Sequence, residues 1–155
     1  MKYLFTHAIM RKVIFLWILL FALTQFTYAD GIVTYDTKRL PAEAHSLIKR
    51  HFPQAQISYI KIEKEFWGIK KYEVLLTDRT EIEFTGEGNW TEIECDDMPV
   101  PPVLIPEYIM EYIKSYFPDH HVIKIERKSK EIEVELNNGF SLTFNKKGEL
   151  IDLDD

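Results

Sequence analysis

The chain has 155 residues, and its 25 acidic side chains outnumber 19 basic ones to give a net charge of −6. An acidic chain argues against nucleic acid or an anionic membrane as the partner, because both attract clusters of lysine and arginine. The single cysteine, Cys95, excludes an internal disulfide, so we expect it to be either buried as a small apolar side chain or free for pairing between molecules.

The N-terminal segment, residues 1–29, has the pattern of a secretory signal peptide. Basic residues precede an apolar run of 11 residues (13–23), which is shorter than the roughly 18 residues of a membrane-spanning helix. Small residues near Ala29 predict cleavage after that position, and translation can start at Met1 or at Met10. We therefore expect a periplasmic or secreted protein with no membrane insertion after cleavage. The sequence predicts no particular oligomeric state.

One phrase of the sequence occurs twice, and it predicts a repeated unit. The segments LPAEAHSLIKRHFP (40–53) and IPEYIMEYIKSYFP (105–118) align without a gap. In each, one proline suits the first turn of a helix and a second proline forbids its continuation. Apolar residues recur between them at helical spacing, so each segment predicts an amphipathic helix of about three turns. These residues are Ala44, Leu47, Ile48 and Phe52 in the first segment and Ile109, Tyr112, Ile113 and Phe117 in the second.

Alternating apolar residues after each helix predict four antiparallel strands. Three pairs of segments align: IKIE (60–63) with IKIE (123–126), YEVLLTDRTEIEF (72–84) with IEVELNNGFSLTF (132–144), and GEGNWTEIE (86–94) with KKGELIDLD (146–154). Asn138–Gly139 is a strong signal for a two-residue hairpin turn, and Asp78–Arg79 stands at the equivalent place in the first copy.

The sequence therefore predicts an α+β fold of two tandem repeats, each one helix followed by a four-stranded antiparallel sheet. A copy of about 50 residues is marginal alone, so we expect a shared core or a continuous sheet with both helices on one face. The predicted organisation is a signal peptide (1–29), an N-terminal lead (30–39), a first repeat (40–97), a Pro-rich linker (98–104) and a second repeat (105–155).

These motifs resemble the PepSY-like family of exported bacterial proteins, which is similar to beta-lactamase-inhibitory protein. The resemblance covers residues 40–154 and is carried by the repeated P…IKxxFP helix, the YEVxL strand, the DRTEIEF hairpin and the GNWxEI strand. It implies a tandem helix-and-sheet protein that is not an enzyme and that binds or inhibits another protein. The second copy departs from the first, with Leu150 in place of Trp90 and Gly139 in place of Arg79.

The clearest difference between the copies lies between their first two strands. The first copy has EFWGIKK (65–71) where the second has KSKE (128–131), which places Phe66 and Trp67 at a predicted hairpin tip. Aromatic side chains are over-represented at binding hot spots, and folding back onto the sheet is the alternative for this pair. Packing back onto the sheet is the ordinary behaviour of a tryptophan, and contact of Phe66 and Trp67 with a partner is the functional hypothesis. Trp90 is a further candidate, at a strand position that ordinary packing also explains.

Carboxylates form the other candidate site, since strand alternation places Glu81 and Glu83 on one face. Glu131, Glu133 and Glu135 repeat this pattern in the second copy. The resulting negative surface is either a solvated polar face or a docking surface for a basic protein. The sequence has no calcium-loop motif and no zinc-ligand spacing, so we predict no metal site and no cofactor.

The sequence predicts no enzyme, because no nucleophile elbow and no histidine-paired nucleophile is apparent. We expect a non-catalytic exported protein that binds an envelope or extracellular protein. It would act as an inhibitor by occlusion, through its sheet face and the aromatic hairpin tip. The alternative is an envelope sensor that binds a small ligand or a cation through the sheet carboxylates.

Overall fold

The computed structural model describes residues 31–66, 68–96 and 98–154. The predicted signal peptide therefore lies outside the described residues, and so does Trp67. Within the described part, two α-helices and one nine-stranded antiparallel sheet form an α+β fold.

The sheet is a meander in which every strand pairs with its neighbours in sequence. The chain order is β1 (Ile32–Thr34), α1 (Ala42–His51), β2 (Ile57–Glu65), β3 (Gly68–Leu76), β4 (Glu81–Thr85), β5 (Trp90–Glu94), α2 (Glu107–Tyr116), β6 (Val122–Arg127), β7 (Glu131–Leu136), β8 (Ser141–Asn145) and β9 (Leu150–Asp154). A short 3-10 turn precedes each helix, at Thr37–Arg39 and at Pro102–Leu104.

Each helix begins directly after a proline and ends before a Phe-Pro pair. Pro41 and Pro106 have φ of −55° and −54°, which suits a helix start, where the missing N–H group would have no partner. Phe52 and Phe117 leave the helical conformation, and their N–H groups still donate to the last helical turn. The following proline prevents continuation. Neither helix of the described ranges is long and apolar enough to cross a bilayer.

One face of the sheet carries the hydrophobic core. An apolar row crosses seven strands in register, and each of its members is at most 1% exposed: Ile60, Val74, Ile82, Ile93, Ile125, Val134 and Leu142. Full burial of such a side chain stabilises the fold by roughly 1.5–3 kcal/mol. Ala44 and Ile48 of α1 and Ile109 and Ile113 of α2 belong to the same buried cluster. Both helices therefore cover this face, which we term the helix-covered face, and the opposite side is termed the open face.

The pair β5–β6 joins the two helix-and-strand segments into one sheet. Ile93 lies directly opposite Ile125, and both are fully buried. The Pro-rich connector packs into the same core, because Val100 and Leu104 are buried and the N–H group of Val100 donates to the carbonyl of Val122 at 2.8 Å. The two segments share one hydrophobic core, as expected from their small size.

The sequence predicts eight strands, whereas the described sheet has nine. The additional strand, β1, lies in the predicted N-terminal lead and pairs antiparallel with β2, with Val33 opposite Lys61. A strand of three residues is too short to show an alternation pattern, which is why the sequence does not reveal it.

The alignment of the two IKIE segments is wrong by two residues. Val74 and Val134 take matching places in the aligned hairpins, and they pair with Ile60 and Ile125 respectively. Ile60 therefore corresponds to Ile125 and not to Ile123. A shift of two residues leaves every side chain on its own face, so alternation cannot detect it.

The hairpin turn at Asn138–Gly139 is longer than the two residues predicted. Strand β7 ends at Leu136 and β8 begins at Ser141. Gly139 has a positive φ of 90° but Asn138 does not, whereas a two-residue type I′ turn needs positive φ at both central residues. Arg79 takes the corresponding place in the first segment with φ of 69°, a conformation that is unusual for a residue other than glycine.

Candidate binding face

Charged side chains line the open face of the sheet. Alternate residues of a strand point to opposite faces, so the residues between the core positions project here. Five glutamates lie directly opposite one another on five consecutive strands, and we term them the glutamate row: Glu73, Glu83, Glu92, Glu126 and Glu133. Like charges in directly opposed positions are destabilising, so this arrangement requires counter-charges nearby.

Two lysines hold the first part of the glutamate row. Lys61 Nζ lies 2.6 Å from Glu73, and Lys71 Nζ lies 2.8 Å from Glu73 and 2.7 Å from Glu83. Burial by itself lowers the pKa of Lys71, but its hydrogen bonds to the two carboxylates outweigh burial, so the pKa lies above its ordinary value. Burial by itself raises the pKa of Glu73, yet the hydrogen bonds from the two lysines hold this pKa below its ordinary value.

Two further lysines hold the rest of the row. Lys124 Nζ lies 2.7 Å from Glu92 and 2.9 Å from Glu94. Burial opposes the charge of Lys124, but these hydrogen bonds dominate and hold its pKa above the ordinary value. Lys128 Nζ lies 3.4 Å from Glu126 and 2.5 Å from Glu133. The hydrogen bond to Glu133 raises the pKa of Lys128. Each member of the glutamate row therefore has at least one lysine partner.

Carboxylates nevertheless outnumber lysines on the open face. By register or strand alternation it also carries Glu63, Glu81, Glu94, Glu131, Glu135, Asp152 and Asp154. Among the described residues, no ion pair involves Glu81, Glu131 or Glu135. The open face is therefore strongly negative.

A small concavity of about 160 Å³ opens on this face over strands β2 to β5, and we term it the Tyr59 cavity. It is lined by Tyr59, Glu73, Val74, Leu75, Glu81, Ile82, Glu83 and Glu92. Tyr59 lies opposite Leu75, which lies opposite Glu81 on the next strand. Tyr59 and Leu75 are half-buried although they belong to the open face. The cavity thus combines an aromatic ring and an aliphatic side chain with four carboxylates.

The structure places the predicted site residues on different surfaces. Glu81 and Glu83 lie on the open face, where both line the Tyr59 cavity. Phe66 lies in the connection between β2 and β3, and its side chain is 91% exposed. Trp67, the next residue, lies outside the described residues. The two carboxylates are therefore brought together, and Phe66 lies apart from them in the β2–β3 connection.

Trp90 belongs to the other side of the sheet. It pairs in register with Phe84, a fully buried core residue, and its ring packs half-buried against the core. The guanidinium carbon of Arg127 lies 3.5 Å from the centroid of this ring. Trp90 therefore shares no surface with Glu81 and Glu83.

Several residues of the open face escape prediction from sequence. Glu73 and Glu92 complete the glutamate row, and their alignment with Glu83 depends on strand register. Tyr59 and Leu75 did carry a signal, because they place apolar groups at strand positions where alternation predicts polar ones.

Cys95 belongs to the buried core and not to this face. Cys95 is buried and unpaired, which confirms the first of its two expected states. Burial raises the pKa of its thiol to about 11, although a hydrogen bond with the Thr80 side chain opposes the shift. Within the described ranges, no group of three or more histidine, cysteine, aspartate or glutamate residues is arranged to hold a metal ion.

These features define an α+β protein with one open antiparallel sheet, helices on one side and, on the other, a charged surface that neither described helix covers. A family profile described as "Putative beta-lactamase-inhibitor-like, PepSY-like" matches residues 70–152. The chain belongs to this PepSY-like family, which confirms the resemblance seen in the motifs. The profile matches one continuous stretch, so the division into two tandem repeats stays a prediction.

Solved structures of Bacteroides proteins are similar to this chain. One from Bacteroides vulgatus, described as a "putative periplasmic protein of unknown function", is 39% identical, with a TM-score of 0.76 over 81% of this chain and 99% of its own. A second "putative periplasmic protein" from Bacteroides vulgatus is 32% identical, with a TM-score of 0.76 over 83% and 99%. A "putative calcium-regulated periplasmic protein" from Bacteroides thetaiotaomicron is 37% identical, with a TM-score of 0.73 over 81% and 95%. No curated protein matches this chain.

Proposed function

We propose that this protein is a non-catalytic periplasmic binding protein that occludes a positively charged surface of another protein with its open face. The observation that carries the proposal is the glutamate row, with five carboxylates aligned across adjacent strands on a face that neither described helix covers. The periplasmic location is supported by the predicted signal peptide and by the descriptions of the similar solved structures.

Electrostatics favours a basic partner for this face. Carboxylates in directly opposed positions repel one another, and the lysines among them are too few to balance every charge. Lysine and arginine side chains of a partner would complete the neutralisation. Complementary charges of this kind raise association rates and select against acidic partners.

The β2–β3 hairpin supports occlusion because it extends the contact region beyond the sheet. Strands β2 and β3 have nine residues each, whereas the corresponding strands β6 and β7 have six each. Phe66 lies at the end of this longer hairpin, and an exposed aromatic side chain is suited to an interface. The family description as beta-lactamase-inhibitor-like is consistent with this mode of action.

Direct binding tests the proposal. A chain beginning at residue 30 is suitable, because residues Gly31–Asp155 form one compact unit. The chain is used to capture a partner from envelope extract, and the purified partner is then titrated against variants. We expect Glu126→Gln/Glu133→Gln to weaken affinity at least tenfold, since charged hydrogen bonds are the strong ones. The matched control Glu107→Gln/Glu111→Gln removes the same charge from α2 and should bind normally. Equal affinity of both variants would refute a role for the open face.

A cation binder through the sheet carboxylates is the second candidate. It is favoured by Glu81, which lines a carboxylate-rich cavity without an ion pair among the described residues, and by the similar structure described as calcium-regulated. The lysines argue against it, because Lys71 and Lys124 occupy the carboxylates that a cation would need. Calcium should raise the thermal unfolding midpoint if it binds the folded state. An unchanged midpoint in millimolar calcium would exclude this candidate.

A further inference from the structure

We propose that the Tyr59 cavity receives one arginine side chain from the basic segment that docks on the open face. This inference rests on the proposed function, and it identifies the partner side chain that would anchor the complex on the open face. An anchor residue in a pocket is where a protein interface commonly concentrates its binding energy.

The cavity has the two kinds of wall that an arginine side chain requires. Tyr59 and Leu75 lie side by side in register and present an aromatic ring and an aliphatic chain. A guanidinium group stacks on an aromatic face, and the methylene groups of arginine pack on apolar surface. Arginine packs against both walls better than lysine does, because the ammonium group of lysine is compact and more strongly hydrated.

Carboxylates supply the specific recognition. Glu83 and Glu92 line the cavity, but each is already paired with a lysine, at 2.7 Å in both cases. Glu81 lines the same cavity, its residue is exposed, and no ion pair among the described residues involves it. Guanidinium groups bind carboxylates through two parallel hydrogen bonds, so Glu81 is the carboxylate best placed to accept an incoming arginine.

The second segment of the chain lacks this combination. Strand register pairs Lys124 with Glu135 at the place where the first segment pairs Tyr59 with Leu75. The positions of Glu81 and Glu83 are taken by Ser141 and Thr143 in the aligned hairpin. The aromatic and aliphatic walls are therefore present in the first segment only. This difference between two matching places on the open face supports a contact that is specific to the first segment.

A designed peptide tests the anchor. The probe is a fluorescently labelled nine-residue peptide of alternating lysine and threonine with arginine at its centre, compared with the same peptide carrying citrulline, which keeps the shape but lacks the charge. Binding to the chain from residue 30 is measured by anisotropy at low salt. Glu135→Gln is the matched control for Glu81→Gln, because both carboxylates lie on the open face and neither has an ion pair among the described residues. Circular dichroism confirms that both variants fold.

We expect Glu81→Gln to weaken binding of the arginine peptide at least tenfold and of the citrulline peptide less than twofold. Glu135→Gln should weaken both peptides alike, by less than twofold. Tyr59→Leu, which keeps an apolar wall without the ring, should weaken the arginine peptide selectively.

Three results would overturn the inference. Equally weakened binding of the arginine peptide in Glu81→Gln and Glu135→Gln would mean that only the overall negative charge of the face attracts it. The proposed function would then stand without this anchor. Competition by millimolar calcium that disappears in Glu81→Gln would make a cation the occupant. Absence of binding of either peptide to the unmodified chain would reject both the anchor and the basic partner.

Discussion

The guanidinium group of Arg127 lies over the indole ring of Trp90, with its central carbon 3.5 Å from the ring centroid. Trp90 belongs to β5 and Arg127 ends β6, so the contact crosses the pair of strands that joins the two segments. Burial lowers the pKa of Arg127, but a guanidinium group stays charged at neutral pH. The contact is therefore a cation–π interaction that reinforces the junction.

Arg127→Ala should lower the free energy of unfolding by about 1 kcal/mol, because a partly buried cation–π contact is lost. The measurement is urea denaturation followed by tryptophan fluorescence. Peptide binding on the open face should be unchanged, since Trp90 and Arg127 lie on the other side of the sheet. Arg127→Lys keeps the charge without the planar group and should recover only part of the stability. Unchanged stability in Arg127→Ala would show that the contact contributes nothing.

Lys71→Met should destabilise the protein by about 1–2 kcal/mol at pH 7, because it removes the cation that separates Glu73 from Glu83. The effect should shrink on acidification, because protonation of Glu73 relieves its repulsion with Glu83. Lys70→Met is the control, since Glu65 is the one ion-pair partner of Lys70 among the described residues and is itself exposed. This variant should change stability by less than about 0.5 kcal/mol. A loss of equal size in both variants, measured by chemical denaturation, would contradict the role assigned to Lys71.

Acidification should destabilise the fold through Glu73. Its folded-state pKa lies below the ordinary value, so its contribution is fully present above the unfolded pKa of about 4.3 and is lost as the pH falls through the folded pKa. Urea unfolding between pH 2 and pH 7 measures this slope. The free energy of unfolding of Glu73→Gln should fall less steeply with decreasing pH than that of the unmodified chain. Glu135→Gln serves as a control on the same face. The same dependence of stability on acid pH in Glu73→Gln and in the unmodified chain would argue against the prediction.

Gly88→Ala should destabilise the protein by about 2–3 kcal/mol, because alanine is strained at φ of 93° and its Cβ would lie 2.7 Å from Cβ of Pro41. Gly139→Ala meets the same backbone strain at φ of 90° but has open space around the new Cβ. It should cost only about 1–2 kcal/mol. Thermal unfolding of the pair isolates the contact between this turn and the start of α1. Equal losses would mean that Pro41 moves aside freely.

Cys95 should react slowly with a thiol reagent at pH 8 in the folded protein. Burial raises the pKa of its thiol to about 11, so only about one thiol in a thousand is ionised at that pH. In 6 M guanidinium chloride the same reagent should react within seconds. The reaction is followed by the absorbance of the released thiolate. Rapid reaction of the folded chain would show that the structure around Cys95 opens readily.

The helices and the core could be predicted from sequence because their signals are local. Ala44 and Ile48 recur at helical spacing between two prolines, and both are buried as expected. Burial of Val74 and Ile82 likewise follows from alternation within single strands. The PepSY-like family was recognisable because its motifs lie in these same elements.

The glutamate row could not be predicted, because it depends on register and not on alternation. Register in this sheet is altered by bulges, including one between Glu83 and Phe84 and another between Val122 and Lys124. The lysine partners were missed for the same reason, since Lys71 reaches Glu83 only through the pairing of two strands.

The strict chain order of the nine strands has a kinetic consequence. Every strand pair except β5–β6 joins strands that follow one another directly or, for β1–β2, across a single short helix and its flanking turns. Contacts that are close in sequence form quickly, because little chain entropy is lost in closing them. Hairpins can therefore form one after another as the chain becomes available from its N-terminus. Docking of Ile93 against Ile125, across the connector and α2, is the step that must wait for the second half of the chain.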